Sequence, residues 1–205
     1  AGACDVPLDA TLHVTGNLTI RPGAMLDAQS ASSTVVVGRN VTAGAGSMLG
    51  LGCQSPESVG NSGHPCTVDP DGVSSVWVGG NITATGASEV ALNGITVGRN
   101  ITVTGGSSDG YWSLKNNTVA GNITVTGVTV AWIGVMFNQV GRNVTLTNIT
   151  VNDEHPDAPG MYIVRNTIER NLVCTGIVPG VSGGFIPGEV NTVGRNAVGQ
   201  CAALV

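Results

Sequence analysis

Charge is scarce in this chain of 205 residues: Asp, Glu, Lys and Arg together make up 10% of it, and lysine occurs once, as Lys115. Ordinary globular domains carry about 25% charged residues, so most of this surface must be built from uncharged polar groups. The net charge of −5 is spread along the sequence, with no basic stripe to neutralise a phosphate backbone, which argues against nucleic acid as a partner. Aromatic residues are equally rare at 3%. No apolar run approaches the ~20 residues of a membrane span; the longest candidate is the stretch Val128 to Phe137. Leu and Glu are sparse as well, which leaves little from which to build helices.

What the chain has instead is Gly, 31 residues of it, together with abundant Val, Ile and Thr. That mixture favours short strands separated by glycine turns. The length suits one sizeable core, hence one domain over residues 1–205. Five cysteines in so polar a chain point to an oxidising compartment. A start at Ala-Gly-Ala rather than Met is what removal of a signal peptide would leave. The expected location is secreted, extracellular or at the cell surface.

One phrase recurs: an apolar residue, two corner residues, Asn, then alternating apolar residues and Thr. It runs Val14-Thr15-Gly16-Asn17-Leu18-Thr19, Val37-Gly38-Arg39-Asn40-Val41-Thr42, Val78-Gly79-Gly80-Asn81-Ile82-Thr83 and Val97-Gly98-Arg99-Asn100-Ile101-Thr102. Val119-Ala120-Gly121-Asn122-Ile123-Thr124 and Val140-Gly141-Arg142-Asn143-Val144-Thr145 follow, then the degenerate Ile168-Glu169-Arg170-Asn171 and Val193-Gly194-Arg195-Asn196. Successive asparagines lie 23, 41, 19, 22, 21, 28 and 25 residues apart. A repeat of this period marks a solenoid. We therefore expect an all-β, right-handed parallel β-helix of about eight coils of 19–25 residues, three short strands per coil, roughly 40 Å long at ~4.8 Å per coil. The 41-residue interval holds one coil plus an insertion closed by Cys53 and Cys66, and the 28-residue interval holds a polar loop near 152–160.

Period-two alternation assigns faces: Ile101 and Val103 point one way, Asn100, Thr102 and Thr104 the other. Stacking Ile82, Ile101, Ile123 and Val144 would fill the coil with an aliphatic row. The Gly-Arg-Asn corner suggests a bend with positive φ, which Gly takes freely and Asn tolerates. Asn40, Asn81, Asn100, Asn122, Asn143, Asn171 and Asn196 should stack as an amide ladder, and Asn117, Asn138, Asn166 and Asn191, five residues earlier in their coils, as a second.

The C-terminal third, Asn166-Thr167-Ile168-Glu169-Arg170-Asn171-Leu172-Val173-Cys174-Thr175-Gly176, then Asn191-Thr192-Val193-Gly194-Arg195-Asn196 and Gly199-Gln200-Cys201, resembles a group of uncharacterised secreted bacterial repeat proteins. The resemblance implies a β-helix and export, and brings no catalytic residue with it.

Several constellations could carry function. Cys174 and Cys201 follow consecutive corner asparagines and should meet on adjacent coils, and Cys53 pairs naturally with Cys66. Cys4 is then left over, although its pairing with Cys53 or Cys66 stays open. Thr83 with Thr85, Thr102 with Thr104, Thr124 with Thr126 and Thr145 with Thr147 form a two-column array. It is similar to the ice-binding face of β-solenoid antifreeze proteins, though Thr is also simply favoured on exposed strands. Eight Asn-x-Thr sequons, at Asn17, Asn40, Asn81, Asn100, Asn116, Asn122, Asn143 and Asn148, read as by-products of the repeat. Tyr111, Trp112, Trp132 and Tyr162 recur at similar positions of successive coils. Outside, they would make a stacking platform; core packing is favoured because Trp132 sits in an apolar run. Asp153, Glu154, His155 and Asp157 form the densest ionisable cluster, with Asp69 and Asp71 a weaker one, and both read as solvated turns rather than a catalytic pair or metal site. Arg39, Arg99, Arg142, Arg170 and Arg195 share a corner position and should splay into solvent.

These features point first to a non-enzymatic extracellular scaffold, self-associating through open strand ends because neither terminus carries a capping-helix pattern. A polysaccharide-binding or polysaccharide-degrading β-helix is the second expectation and an ice-binding protein the third. No cofactor is implied; possible partners are a further copy of the chain or a polysaccharide.

Overall fold

A computed structural model describes residues 2–152, 155–185 and 188–205. It is a parallel β-solenoid of eight coils with three strands in each. The first face stacks Ala3–Asp5, Met25–Ala28, Met48–Leu51, Glu89–Asn93, Ser107–Lys115, Thr129–Met136, Met161–Val164 and Val181–Ser182. The second stacks Thr11–Val14, Thr34–Val37, Ser75–Val78, Ile95–Val97, Thr118–Val119, Gln139–Val140, Thr167–Ile168 and Thr192–Val193. The third stacks Leu18–Ile20, Val41–Ala43, Ile82–Thr85, Ile101–Thr104, Ile123–Thr126, Val144–Val151, Leu172–Val178 and Ala197–Gly199. Faces one and three join because Val144–Val151 runs through a corner: Val144 pairs with Ile123 on the third face, and Thr150 with Thr129 on the first.

Strand formation follows from alternation. On the third face Val41, Ile82, Ile101, Ile123, Val144 and Leu172 lie in one register column, each fully buried, while the threonines between them face out. Burying an aliphatic side chain of this size is worth about 1.5–3 kcal/mol, and each coil repeats that gain.

The two corners flanking the second face carry the ladders. On the outer one, Asn40 donates from its backbone N–H and its Nδ2 to Oδ1 of Asn17, and Asn81, Asn100, Asn122, Asn143, Asn171 and Asn196 each repeat this toward the preceding coil. The amide nitrogens of the ladder sequons Asn40, Asn81, Asn100, Asn122 and Asn143 are thereby engaged. The ladder sits half-exposed at most rungs. Its partner corner is buried: Asn117 accepts from Ile95 N–H, Asn138 from Asn117, Asn166 from Asn138 and Asn191 from Asn166, all within 3.1 Å.

The glycine of the Gly-Arg-Asn corner has a different cause from the one its sequence suggests. Gly98 and Gly141 do not take positive φ; a Cβ there would stand 2.5 and 2.6 Å from the carbonyl oxygens of Gly79 and Ala120 one coil below. Close approach of stacked backbones excludes a side chain. Left-handed residues occupy the turn between the third and first faces instead, at Gly86, Gly105 and Gly127 with φ of 64–67°, and at Asn148 with φ 52°.

Between Met48–Leu51 and Ser75–Val78 the chain leaves the coil. It makes the short helix Pro56–Val59, capped by Ser55, and returns through the Cys53–Cys66 disulfide. Asp69 anchors the return, accepting from the backbone N–H and the hydroxyl of Ser32, which holds its carboxyl below the ordinary range. Beneath the excursion the solenoid closes without a gap, since Val41 pairs directly with Ile82. The second disulfide, Cys174–Cys201, ties the 3-10 turn Gln200–Ala203 to the last coils. There Gln200 accepts from Ile177 N–H at 2.8 Å and donates to Ile177 O at 2.7 Å. Gln200 thus occupies the edge of Leu172–Val178 beyond the point where Ala197–Gly199 stops pairing with it, a contact that the sequence pattern does not announce. Cys4 is free and exposed on the strand Ala3–Asp5.

Candidate binding groove on the first face

Tyr111 and Trp112 are neighbours in one strand and therefore face opposite ways. Trp112 pairs in register with Ile133 and is fully buried, its indole N–H donating to Ser108 Oγ at 3.0 Å and to Ser88 O at 3.2 Å. Tyr111 pairs with Trp132 on the outer side and is 62% exposed. The expectation that these aromatics form a core column is corrected in part. Trp112 enters the coil interior and Tyr162 is buried in a second apolar cluster with Met136, Ala158 and Val164, while Tyr111 is exposed and Trp132 packs, partly buried, against that cluster. Trp132 lies in an apolar run because its neighbour Ile133 fills the core, and the same alternation turns its indole outward.

The outward rings form a file across successive coils. Centroids of Tyr111 and Trp132 are 6.3 Å apart, those of Trp132 and Tyr162 5.3 Å, and those of Tyr162 and Phe185 5.5 Å, all tilted. His155 meets Phe185 edge-on at 4.8 Å. Burial raises the pKa of the Tyr162 phenol, with a hydrogen bond from Trp132 acting the other way.

These rings floor a cavity of about 860 Å³, within the usual range for a small-molecule or cofactor site. Five of the seven aromatic residues of the chain and its single lysine line it: Tyr111, Trp132, Phe137, Tyr162, Phe185 and Lys115. Two excursions wall it. Asn61 and Ser62 come from the disulfide-closed insertion of the third coil, and Gly183, Phe185 and Glu189 from the loop of the eighth. Phe137 and Arg165 reach it from one corner, each immediately before a buried ladder asparagine and each with positive φ, 58° and 48°. Positive φ is uncommon for side chains of this bulk. At the same corner the fourth coil has Gly94 and the fifth Asn116.

The insertion is fastened to the floor. Asn61 and Asn116 exchange amide hydrogen bonds of 2.8 and 3.1 Å, and Lys115 Nζ donates to Gly63 O at 2.6 Å and to Ser62 Oγ at 3.2 Å. His64, bridged to Gln54 through both backbone groups, lies partly buried behind this wall. Burial and then the Lys115 charge lower its pKa, against a weaker opposing pull from Asp27. Burial likewise lowers the pKa of Lys115. On the far side Arg165 pairs with Glu189 at 3.4 Å.

Other candidates from the sequence lie elsewhere. Thr83, Thr102, Thr124 and Thr145 stand in register as one column of the third face, and Thr85, Thr104, Thr126 and Thr147 as the other. The first column extends back through Thr42 to Thr19, and the second runs on from Thr147 to Thr175. These threonines lie on the outward side of the face with unequal exposure. Thr85 and Thr104 are exposed, as are Thr19, Thr42 and Thr175, whereas Thr83, Thr102, Thr124, Thr126, Thr145 and Thr147 are partly buried. Thr147 also departs from the pattern in its neighbour: Thr85, Thr104 and Thr126 precede a left-handed glycine, whereas Thr147 precedes Asn148, whose side chain stands against Gly176 of the next coil. The strand of Thr147 then continues around the corner to Val151 instead of ending.

Arg39, Arg99, Arg142, Arg170 and Arg195 are exposed at their corner. Of the acidic cluster, Asp153 and Glu154 lie outside the described residues; His155 lines the groove and Asp157 is exposed. Among the described residues no group of three or more His, Cys, Asp or Glu is placed to hold a metal ion, and no helix is long and apolar enough to cross a membrane. The groove residues that sequence reasoning misses are Phe137, Arg165, Phe185 and Glu189. For the first two a signal existed, their position one residue before Asn138 and Asn166.

Comparison of the chain with models of known protein families, with curated proteins and with solved structures returned no match in any of the three.

Proposed function

We propose that the chain is a secreted, non-enzymatic scaffold whose first face carries a polysaccharide-binding groove. The observation that carries this reading is the convergence of five of seven aromatics on one cavity, in a chain otherwise almost devoid of them. Flat rings stack against the C–H faces of sugars, and the polar rim of Asn61, Ser62, Lys115, Arg165 and Glu189 supplies partners for hydroxyls. The file of rings, stepping 5–6 Å from coil to coil, follows the stacking direction and suits an extended chain of sugar units. Binding is favoured over hydrolysis because Glu189, the carboxylate of the lining among the described residues, is held by Arg165, whereas glycoside cleavage normally needs two free carboxyl groups. Two disulfides and the resemblance of the C-terminal repeats to exported bacterial proteins support secretion.

A glycan array probed with wild-type protein and Trp132→Ala tests the groove. Selective capture of one glycan class by wild type, lost in the variant, is the expected result. Absence of capture on the whole array, repeated by calorimetry with soluble oligosaccharides, would sink the reading.

A second reading is favoured by one observation, the in-register Thr columns of the third face: such an array could order water as an ice-binding surface. Of the eight threonines of the array only Thr85 and Thr104 are exposed, the other six being partly buried, which makes it the weaker of the two. Thermal hysteresis that disappears in Thr102→Tyr would support it, and none in wild type would remove it. End-to-end self-association has less to support it, since no observation beyond the stacked strands themselves points to a second copy. Sedimentation at rising concentration measures it directly.

A further inference from the structure

The lining of the groove contains a charge with no ionic partner among the described residues. Lys115 is the only lysine in the chain, and it stands beside the aromatic floor rather than on the outer surface where lysines ordinarily extend into water. Its ammonium is partly desolvated. Both acceptors it reaches, Gly63 O and Ser62 Oγ, are neutral, and among the described residues no carboxylate pairs with it. An ammonium has three donors, and these contacts use two. Removing a cation from water without an opposite charge is costly, so a fold that places its sole lysine here gains if an anion arrives. Arg165, the other cation of the lining, is paired with Glu189, which leaves Lys115 as the uncompensated charge among the described lining residues.

We infer that the groove selects an acidic glycan, with Lys115 recognising a carboxylate or sulfate group on a sugar whose ring stacks on Trp132 or Tyr111. The inference rests on the glycan reading above and narrows its substrate class. Lysine recognises anions as a point charge rather than through a fixed fork, so the site accepts either anionic group.

Calorimetry with three probes separates the possibilities: an oligogalacturonate, its methyl-esterified counterpart and a sulfated oligosaccharide of similar length. Wild type should bind at least one of the two anionic probes about tenfold or more tighter than the ester, the usual worth of a hydrogen bond to a charged group, with affinity falling as salt is raised. Lys115→Gln should erase that preference. If the uronate alone is preferred the anion is a carboxylate, and if the sulfated probe is preferred it is a sulfate ester. Equal affinity for charged and neutral probes in wild type overturns the inference, and this comparison does not depend on any variant folding. Should neutral glycans bind and Trp132→Ala abolish that binding, the groove reading survives while the role of Lys115 falls. Should no probe or array glycan bind, both fall together.

Discussion

Asn138 donates its backbone N–H and its Nδ2 to a single oxygen, Oδ1 of Asn166, at 3.0 and 2.9 Å, while its own Oδ1 accepts from Asn117. It also donates to Leu114 O at 2.8 Å and is completely buried. Replacement by Ala leaves several buried polar groups unsatisfied at once and should cost about 3 kcal/mol. Asn122→Ala, on the half-exposed ladder where water can step in, should cost about 1 kcal/mol. Urea titrations of the two variants check this, and equal losses would contradict the distinction between the ladders.

The same residue type on opposite sides of one sheet gives a second contrast. Trp112→Ala empties a core position sealed on all sides and should cost about 3–5 kcal/mol. Trp132→Ala removes an outward ring and should leave thermal unfolding close to wild type while abolishing glycan capture. If Trp132→Ala proved the more destabilising of the two, the assignment of faces would be wrong.

The solenoid was legible because its cause is local and repeated. Val-Gly-Arg-Asn followed by Ile-Thr-Val-Thr specifies corner, strand and inward face within eight residues, and each copy reinforces the others. The groove was not, since it depends on what single residues do at places where the repeat breaks. Tyr111 and Trp112 look alike in the sequence, and strand alternation puts the first ring outside and the second in the core. Lys115 reads as an ordinary exposed cation until the insertion folds back to place Gly63 against it. Thr147 ends the same Asn-apolar-Thr-apolar-Thr pattern as Thr104, yet it is partly buried where Thr104 is exposed, and Asn148 follows it where Gly105 follows Thr104. Gly98 illustrates the same limit on a smaller scale. The pattern shows that a glycine is needed, but the reason is the carbonyl of Gly79 on the coil beneath, a contact between residues 19 positions apart.

The disulfide Cys53–Cys66 closes a short loop across 13 positions, and a loop of that size confers roughly 3 kcal/mol on the segment it closes. Because the solenoid is continuous beneath the insertion, a Cys53→Ser, Cys66→Ser double variant should keep the far-ultraviolet dichroism of wild type. Its insertion should exchange amide hydrogens faster and its groove should bind more weakly. Unchanged exchange at Asn61 to His64 would count against a wall that depends on the bond.

Acidification should loosen the same wall through His64. Burial and Lys115 hold its folded-state pKa below the ordinary 6.5, so the unfolded chain takes up the proton first as pH falls. The stability contributed by neutral His64 is complete above pH 6.5 and is lost as pH drops through the folded-state value. His64→Gln cannot titrate, and its melting temperature relative to wild type should therefore rise progressively as pH is lowered from 7.5 through about 6. A constant offset between the two proteins over that range would refute the assignment.

Asn40 and Asn81 are 41 positions apart yet bonded as adjacent rungs. The rod therefore treats everything between its third-coil strands as cargo: a segment of other length or sequence, spliced in at Gly52 and rejoined at Ser74, would leave the framework as it is. Recognition and rigidity are thereby uncoupled, and new ligand preferences could arise by exchanging one bank of the groove while every rung of the ladder stays in place.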